Sequence, residues 1–73
     1  MFTIKVVSRS TGDPVENMKV CVSFSGMRGM TDEVWTDRNG EANFDYTPGN
    51  GKVFLDGRMS YEGEISGRVV IYV

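Results

Sequence analysis

The sequence predicts an all-β fold, namely a small antiparallel β-sandwich of six to seven strands that forms a single domain over residues 1–73. Valine, isoleucine and threonine, which favour strands, occur ten, three and five times, whereas leucine and alanine, which favour helices, occur once each. Nine glycines and two prolines divide the chain into segments of roughly 5–9 residues, which is an ordinary strand length. Within several segments apolar and polar residues alternate, as they do in strands that bury one face.

The first two strands are predicted over residues 2–8 and 18–25, with a turn at residues 10–14 between them. The predicted inward residues are Phe2, Ile4 and Val6 in the first strand and Met18, Val20, Val22 and Phe24 in the second. Cys21 falls on the polar side of the second strand, where we expect a free thiol shielded by a neighbouring strand.

The middle of the chain reads as a flexible loop over residues 26–30, a short strand around Asp32 to Thr36, a turn over residues 37–40 and a strand from Glu41 to Tyr46. This order predicts a hairpin. The loop carries two methionines around an arginine, which suits either a mobile connection or an adaptable contact surface.

The side on which Trp35 lies depends on the type of this turn. If Asn39 and Gly40 form a two-residue type I′ turn, Trp35 lies opposite Phe44 and faces the core. If residues 37–40 form a type I turn with a glycine bulge, Val34 lies opposite Phe44 and Trp35 points outward. We favour the bulged turn, because the other register directs two carboxylates, at positions 33 and 37, toward the core.

In the last third of the chain, the sequence predicts a turn over residues 47–51 and a strand over residues 52–56 with Val53 and Leu55 inward. A short piece near residues 58–61, a turn at Glu62-Gly63 and a last strand from about residue 64 to Val73 follow.

Composition and charge argue against several classes of function. The net charge of −2, with basic and acidic residues interspersed, offers no stripe for a nucleic-acid backbone. No apolar run approaches the ~20 residues of a membrane-spanning helix, and residues 2–8 lack the pattern of a signal peptide. The sequence leaves localisation open, because it does not show whether it is a whole protein or part of one.

The chemistry of the side chains predicts no enzyme, no metal site and no cofactor. Without a histidine, a Ser-His-Asp or Cys-His pair is not available, and the single cysteine rules out an intrachain disulfide. The oxygens of residues 37–41 would suit calcium, but the segment is shorter than a ~12-residue calcium loop, and turn formation accounts for it.

Three stretches, residues 11–20, 36–44 and 47–49, resemble the transthyretin-like, carboxypeptidase regulatory-like β-sandwich family. They carry a Gly-x-Pro turn before a valine-rich strand, a Thr-Asp-x-x-Gly turn leading to a phenylalanine, and a Pro-Gly turn. The resemblance implies a prealbumin-like or immunoglobulin-like Greek key and a noncatalytic module. It also implies an alternative function, a carrier that holds a small ligand between protomers.

Large apolar residues are predicted off the core face. With the favoured register they are Trp35, Phe54, Val70 and Tyr72. Because a contiguous exposed apolar patch usually marks an interaction site, we expect these residues to bind a protein partner or a second copy in a homodimer. The last strand, over residues 68–73, has no proline or bulge signal to prevent edge-to-edge pairing.

Overall fold

The computed structural model describes all of residues 1–73 and contains two β-sheets and no α-helix. The all-β prediction is confirmed. The strands are β1 (Phe2–Val7), β2 (Lys19–Phe24), β3 (Gly29–Met30), β4 (Val34–Trp35), β5 (Glu41–Phe44), β6 (Gly49–Leu55), β7 (Arg58–Ile65) and β8 (Arg68–Tyr72). A one-turn 3-10 helix, Gly26–Arg28, precedes β3.

The smaller sheet, called sheet A, has the strand order β5-β1-β8. β5 runs antiparallel to β1, with Phe2 opposite Phe44, but β8 runs parallel to β1, with Thr3 opposite Arg68. The prediction of a wholly antiparallel fold is therefore wrong for this pair. Arg68 also reaches across to Glu41 in an ion pair of 3.0 Å.

The larger sheet, called sheet B, has the order β3-β2-β6-β7, and β4 pairs with the other end of the same edge of β2. The strand predicted around Asp32 to Thr36 is present but only two residues long, as β4, and the segment predicted as a loop over residues 26–30 contains the short strand β3. β7 runs without interruption through Glu62 and Gly63, where a turn was predicted. The reversal instead falls between β7 and β8, where Gly67 adopts a positive φ of 58°.

One hydrophobic core lies between the sheets, an arrangement consistent with a small β-sandwich. Its residues are Phe2, Ile4, Val6, Val20, Val22, Phe24, Ala42, Phe44, Val53, Leu55, Ile65, Val69 and Ile71. The ring of Phe2 stacks on Phe44, with centroids 5.2 Å apart, and meets Phe24 edge-on at 5.9 Å. Both aromatic geometries are favourable, so these three rings tie the two sheets together at one end of the core.

The turn over residues 37–40 has the bulged form. The backbone N–H of Asp37 donates to the carbonyl of Glu41, Gly40 has a φ of 74°, and one Asp37 carboxylate oxygen accepts the N–H groups of Asn39 and Glu41. Trp35 also points outward, because it pairs with Lys19 on the outer side of β2 and not because Val34 lies opposite Phe44. The predicted hairpin is wrong, however, because β4 pairs with β2 and β5 pairs with β1. The turn carries the chain from one sheet to the other.

Two buried threonines replace strand pairing where the edge of sheet B is interrupted. The Thr36 hydroxyl accepts the N–H of Met18 at 2.9 Å and donates to the carbonyl of Val15 at 2.7 Å. The Thr31 hydroxyl accepts the N–H of Val22 at 3.0 Å and donates to the adjacent carbonyl at position 32. Both side chains therefore enter the interior with their polar atoms satisfied.

The segment over residues 26–30, predicted to be a flexible loop, is held by Arg28. Its guanidinium lies 3.8 Å from the centroid of the Phe24 ring and donates to the carbonyls of Thr47 and Pro48. A Cβ at Gly49, the first residue of β6, would meet the end of the Arg28 side chain, so this arginine would have to shift.

Candidate functional site

The outer face of sheet B carries a group of exposed apolar side chains, which we call the apolar face: Cys21, Met30, Trp35, Phe54 and Met59. Trp35 is 54% exposed and Met59 is 49% exposed, while Phe54 and Cys21 are half-buried. The outer face of sheet A exposes fewer large apolar side chains, Val70 and Tyr72 of β8.

The strand register explains why these residues meet. Cys21 lies opposite Phe54, and Phe54 lies opposite Met59, so the three form a row across three adjacent strands. Trp35 pairs with Lys19 on one side of this row. Because successive strand residues point to opposite faces, the buried neighbours of these residues face the core while the row faces outward.

Met59 reaches this face through an irregularity in β7. The ladder shifts register between Val53, which pairs with Tyr61, and Phe54, which pairs with Met59, so Ser60 is an extra residue. Such a bulge changes the side to which the following residue points. The sequence-based prediction did not include Met59 because alternation alone gives no signal for an inserted residue.

A shallow depression of about 210 Å³ lies on the apolar face. Its lining residues are Lys19, Cys21, Met30, Glu33, Phe54 and Gly57. Lys19 and Glu33 form an ion pair of 3.6 Å at its rim, and the Cys21 thiol donates to the carbonyl of Thr31 at 3.4 Å. The depression therefore has an apolar floor, one charge of each sign and a free thiol that already has a hydrogen-bond acceptor.

The four residues predicted to form one interaction surface lie on two sheets. Trp35 and Phe54 belong to sheet B, whereas Val70 and Tyr72 belong to β8 of sheet A. Val70 is 41% exposed and Tyr72 is 56% exposed, and both lie on the face of sheet A that points away from the core. The prediction that these four residues form a contiguous patch is wrong, because alternation predicts the side of a strand but not the sheet to which the strand belongs.

A second depression, of about 310 Å³, opens where the ends of β6 and β8 meet the start of β7. Its lining residues are Met18, Leu55, Asp56, Arg58, Ser60 and Val73. It combines three apolar side chains with one cation and one anion, and it lies away from the apolar face.

The groups that could support catalysis or metal binding are dispersed. No three residues among His, Cys, Asp and Glu lie together as a cluster that could hold a metal ion. The carboxylate of Asp37 is occupied by backbone donors of its own turn. No helix of the fold is long and apolar enough to cross a membrane.

Comparisons of this chain with protein-family models, with curated proteins and with solved structures gave no match.

Proposed function

We propose that this chain is a noncatalytic protein-interaction module that binds a protein partner through the apolar face of sheet B. One observation carries the proposal: Trp35, Phe54 and Met59 present large apolar surfaces on the same side of one sheet, although the core between the sheets is complete without them. Aromatic residues and methionine are the types enriched at protein interfaces, and methionine adapts to irregular partners.

The apolar area that a partner could cover on this face suits a reversible contact. A half-exposed tryptophan offers of order 100 Å² of apolar surface, and the whole apolar face offers of order 300 Å². At about 25 cal/mol per Å², covering it gains roughly 8 kcal/mol before any cost is subtracted. Association costs an estimated ~4–15 kcal/mol, so a partner must add polar contacts to bind with micromolar affinity.

Charged residues beside the apolar face supply such contacts. Lys52 lies opposite Glu62 on the outer side of β6 and β7, and both are exposed. Together with Lys19 and Glu33 they form a rim of both signs around an apolar centre, which is the usual anatomy of a protein interface.

The resemblance to the transthyretin-like, carboxypeptidase regulatory-like family supports the same proposal. Members of that family are mostly noncatalytic modules that pack beside an enzyme or repeat within surface proteins. The turn with Gly12 and the turn closed by Gly40 both place glycine at a positive φ, which supports the motif assignment. We extend the proposal to a Greek-key, prealbumin-like strand arrangement.

The proposal is tested by affinity capture from the source cells followed by binding measurements with the purified partner. The variant W35E/M59E places two negative charges on the apolar face, and the control S10E/T11E adds the same charge in the exposed turn between β1 and β2. We expect the first variant to weaken binding at least about tenfold and the control to bind like the wild type. Equal binding by both variants, or no partner that survives purification, would contradict the proposal.

The depression of about 310 Å³ supports a second candidate function, the binding of a small ligand. Its volume is at the lower limit of ordinary ligand sites, which begin at ~300 Å³. In the alternative implied by the family resemblance, a second protomer would complete this site. A ligand that raises the melting temperature of the wild type but not of M18E would support this candidate.

A further inference from the structure

The strand β8 leaves one of its edges unpaired. It pairs with β1 alone, through hydrogen bonds that include Thr3 N–H to the Gly67 carbonyl and Val73 N–H to the Val7 carbonyl. Because the hydrogen-bonding groups of a strand alternate between its two sides, residues 67, 69, 71 and 73 face β1. The N–H and C=O groups of residues 68, 70 and 72 therefore point away from the sheet.

The other sheet edges are interrupted or short. β3 and β4 have two residues each, and β5 has four. β7 is long, but its register shifts at Ser60, and it carries the exposed carboxylates of Glu62 and Glu64. Short strands, bulges and charges are the features that prevent edge pairing. Of these, the five-residue strand β8 has only the charge of Arg68.

We propose that a second copy of this chain pairs antiparallel with β8 about a two-fold axis at Val70. In this register Val70 lies opposite Val70 of the second copy, and Arg68 lies opposite Tyr72 of the second copy. Residue 68 exchanges two hydrogen bonds with residue 72 of the second copy, residue 70 does so with its own counterpart, and residue 72 with residue 68. All the free backbone groups of both strands are therefore used. The two copies of sheet A become one continuous sheet.

The side chains favour this register over its neighbours. Centring the pair on Arg68 would place two guanidinium groups opposite each other, and centring it on either Arg68 or Tyr72 would separate Val70 from its counterpart in the second copy. At Val70 the exposed apolar side chains cover each other, and the apolar stem of each Arg68, whose guanidinium is paired with Glu41, lies beside a tyrosine ring. The strand is thus complementary to itself, which is what a two-fold interface requires.

This inference goes beyond the proposed function and does not rest on it, since the β8 edge and the apolar face lie on different sheets. Sedimentation velocity over a range from low to high micromolar concentration measures the association. We expect a monomer–dimer equilibrium for the wild type and a dissociation constant at least about tenfold higher for V70K, which brings two like charges together on the axis. The control N50K adds a lysine at an exposed position of sheet B outside the apolar face and should leave the dissociation constant unchanged.

A disulfide test checks the register. In a C21S background, V70C places two thiols on residues whose Cα atoms are about 5.5 Å apart, within the range of a disulfide. The matched variant Y72C separates its thiols by about four residues along the strands, or roughly 14 Å, which is too far. With oxidised glutathione as the oxidant, we expect rapid formation of a covalent dimer for V70C alone. A wild type that stays monomeric at high micromolar concentration, a V70K variant that dimerises like the wild type, or equal cross-linking of V70C and Y72C would each overturn the proposal.

Discussion

The substitution Thr36→Val removes one hydroxyl from the interior and keeps the shape of the side chain. Thr36 is 2% exposed, and its oxygen both accepts from Met18 and donates to Val15. Valine leaves one backbone N–H and one carbonyl without partners, at about 1 kcal/mol each because Met18 and Val15 are only half-buried. We expect a loss of about 2 kcal/mol, against a total stability of about 4–11 kcal/mol for a domain of this size.

Urea unfolding followed by circular dichroism measures this loss, and the melting temperature should fall by roughly 8–16 °C. The control is Thr3→Val, which removes an exposed hydroxyl that donates to the Asn43 side chain at 2.6 Å. That change should cost about 0.5 kcal/mol or less, because water replaces the lost partner. Equal losses of stability in the two variants would show that the Thr36 hydroxyl does not stabilise the interrupted edge of sheet B.

Three further predictions concern other parts of the fold. Gly12 and Gly40 have similar positive φ values, of 80° and 74°, but a Cβ at Gly40 would lie 2.5 Å from the carbonyl oxygen of Val6, whereas one at Gly12 would meet nothing. Chemical denaturation should therefore show a loss of stability of about 1–2 kcal/mol for Gly12→Ala and about 2–5 kcal/mol for Gly40→Ala. Equal losses would contradict this packing. Trp35 should emit as a solvent-exposed indole that acrylamide quenches readily and that dilution does not change, whereas a blue-shifted emission would place it in the core. The thermal melt at low micromolar concentration should be the same with and without reductant, because Cys21 has no second cysteine in the chain with which to form a disulfide, and a shift on reduction would show a covalent dimer.

Much of the core could be predicted from the sequence, because alternation in a strand is a local property. Phe2, Ile4 and Val6 of β1 face inward as a period of two requires. Val53 and Leu55 of β6 do the same. The outward position of Trp35 agrees with the prediction, but it is set by the pairing of β4 with β2 and not by a register against Phe44.

The pairing of strands and the candidate site could not be predicted to the same extent. The turn at residues 37–40 has the local chemistry of a hairpin, yet the strands on either side belong to different sheets, a choice made by the core and not by the turn. The parallel pairing of β1 with β8 depends on contacts between distant residues. The bulge at Ser60, which brings Met59 beside Phe54, leaves no mark in the pattern of apolar and polar residues.

The parallel pairing of the first and last strands constrains how the chain folds during synthesis. Ile4 and Val6 of β1 leave the ribosome well before the strand that completes their sheet, β8. Until then β1 can pair only with β5, and one of its edges stays open. Because closing such a long loop is slow, we expect the nascent chain to expose this edge to chaperones or to other nascent chains until residues 68–72 have emerged.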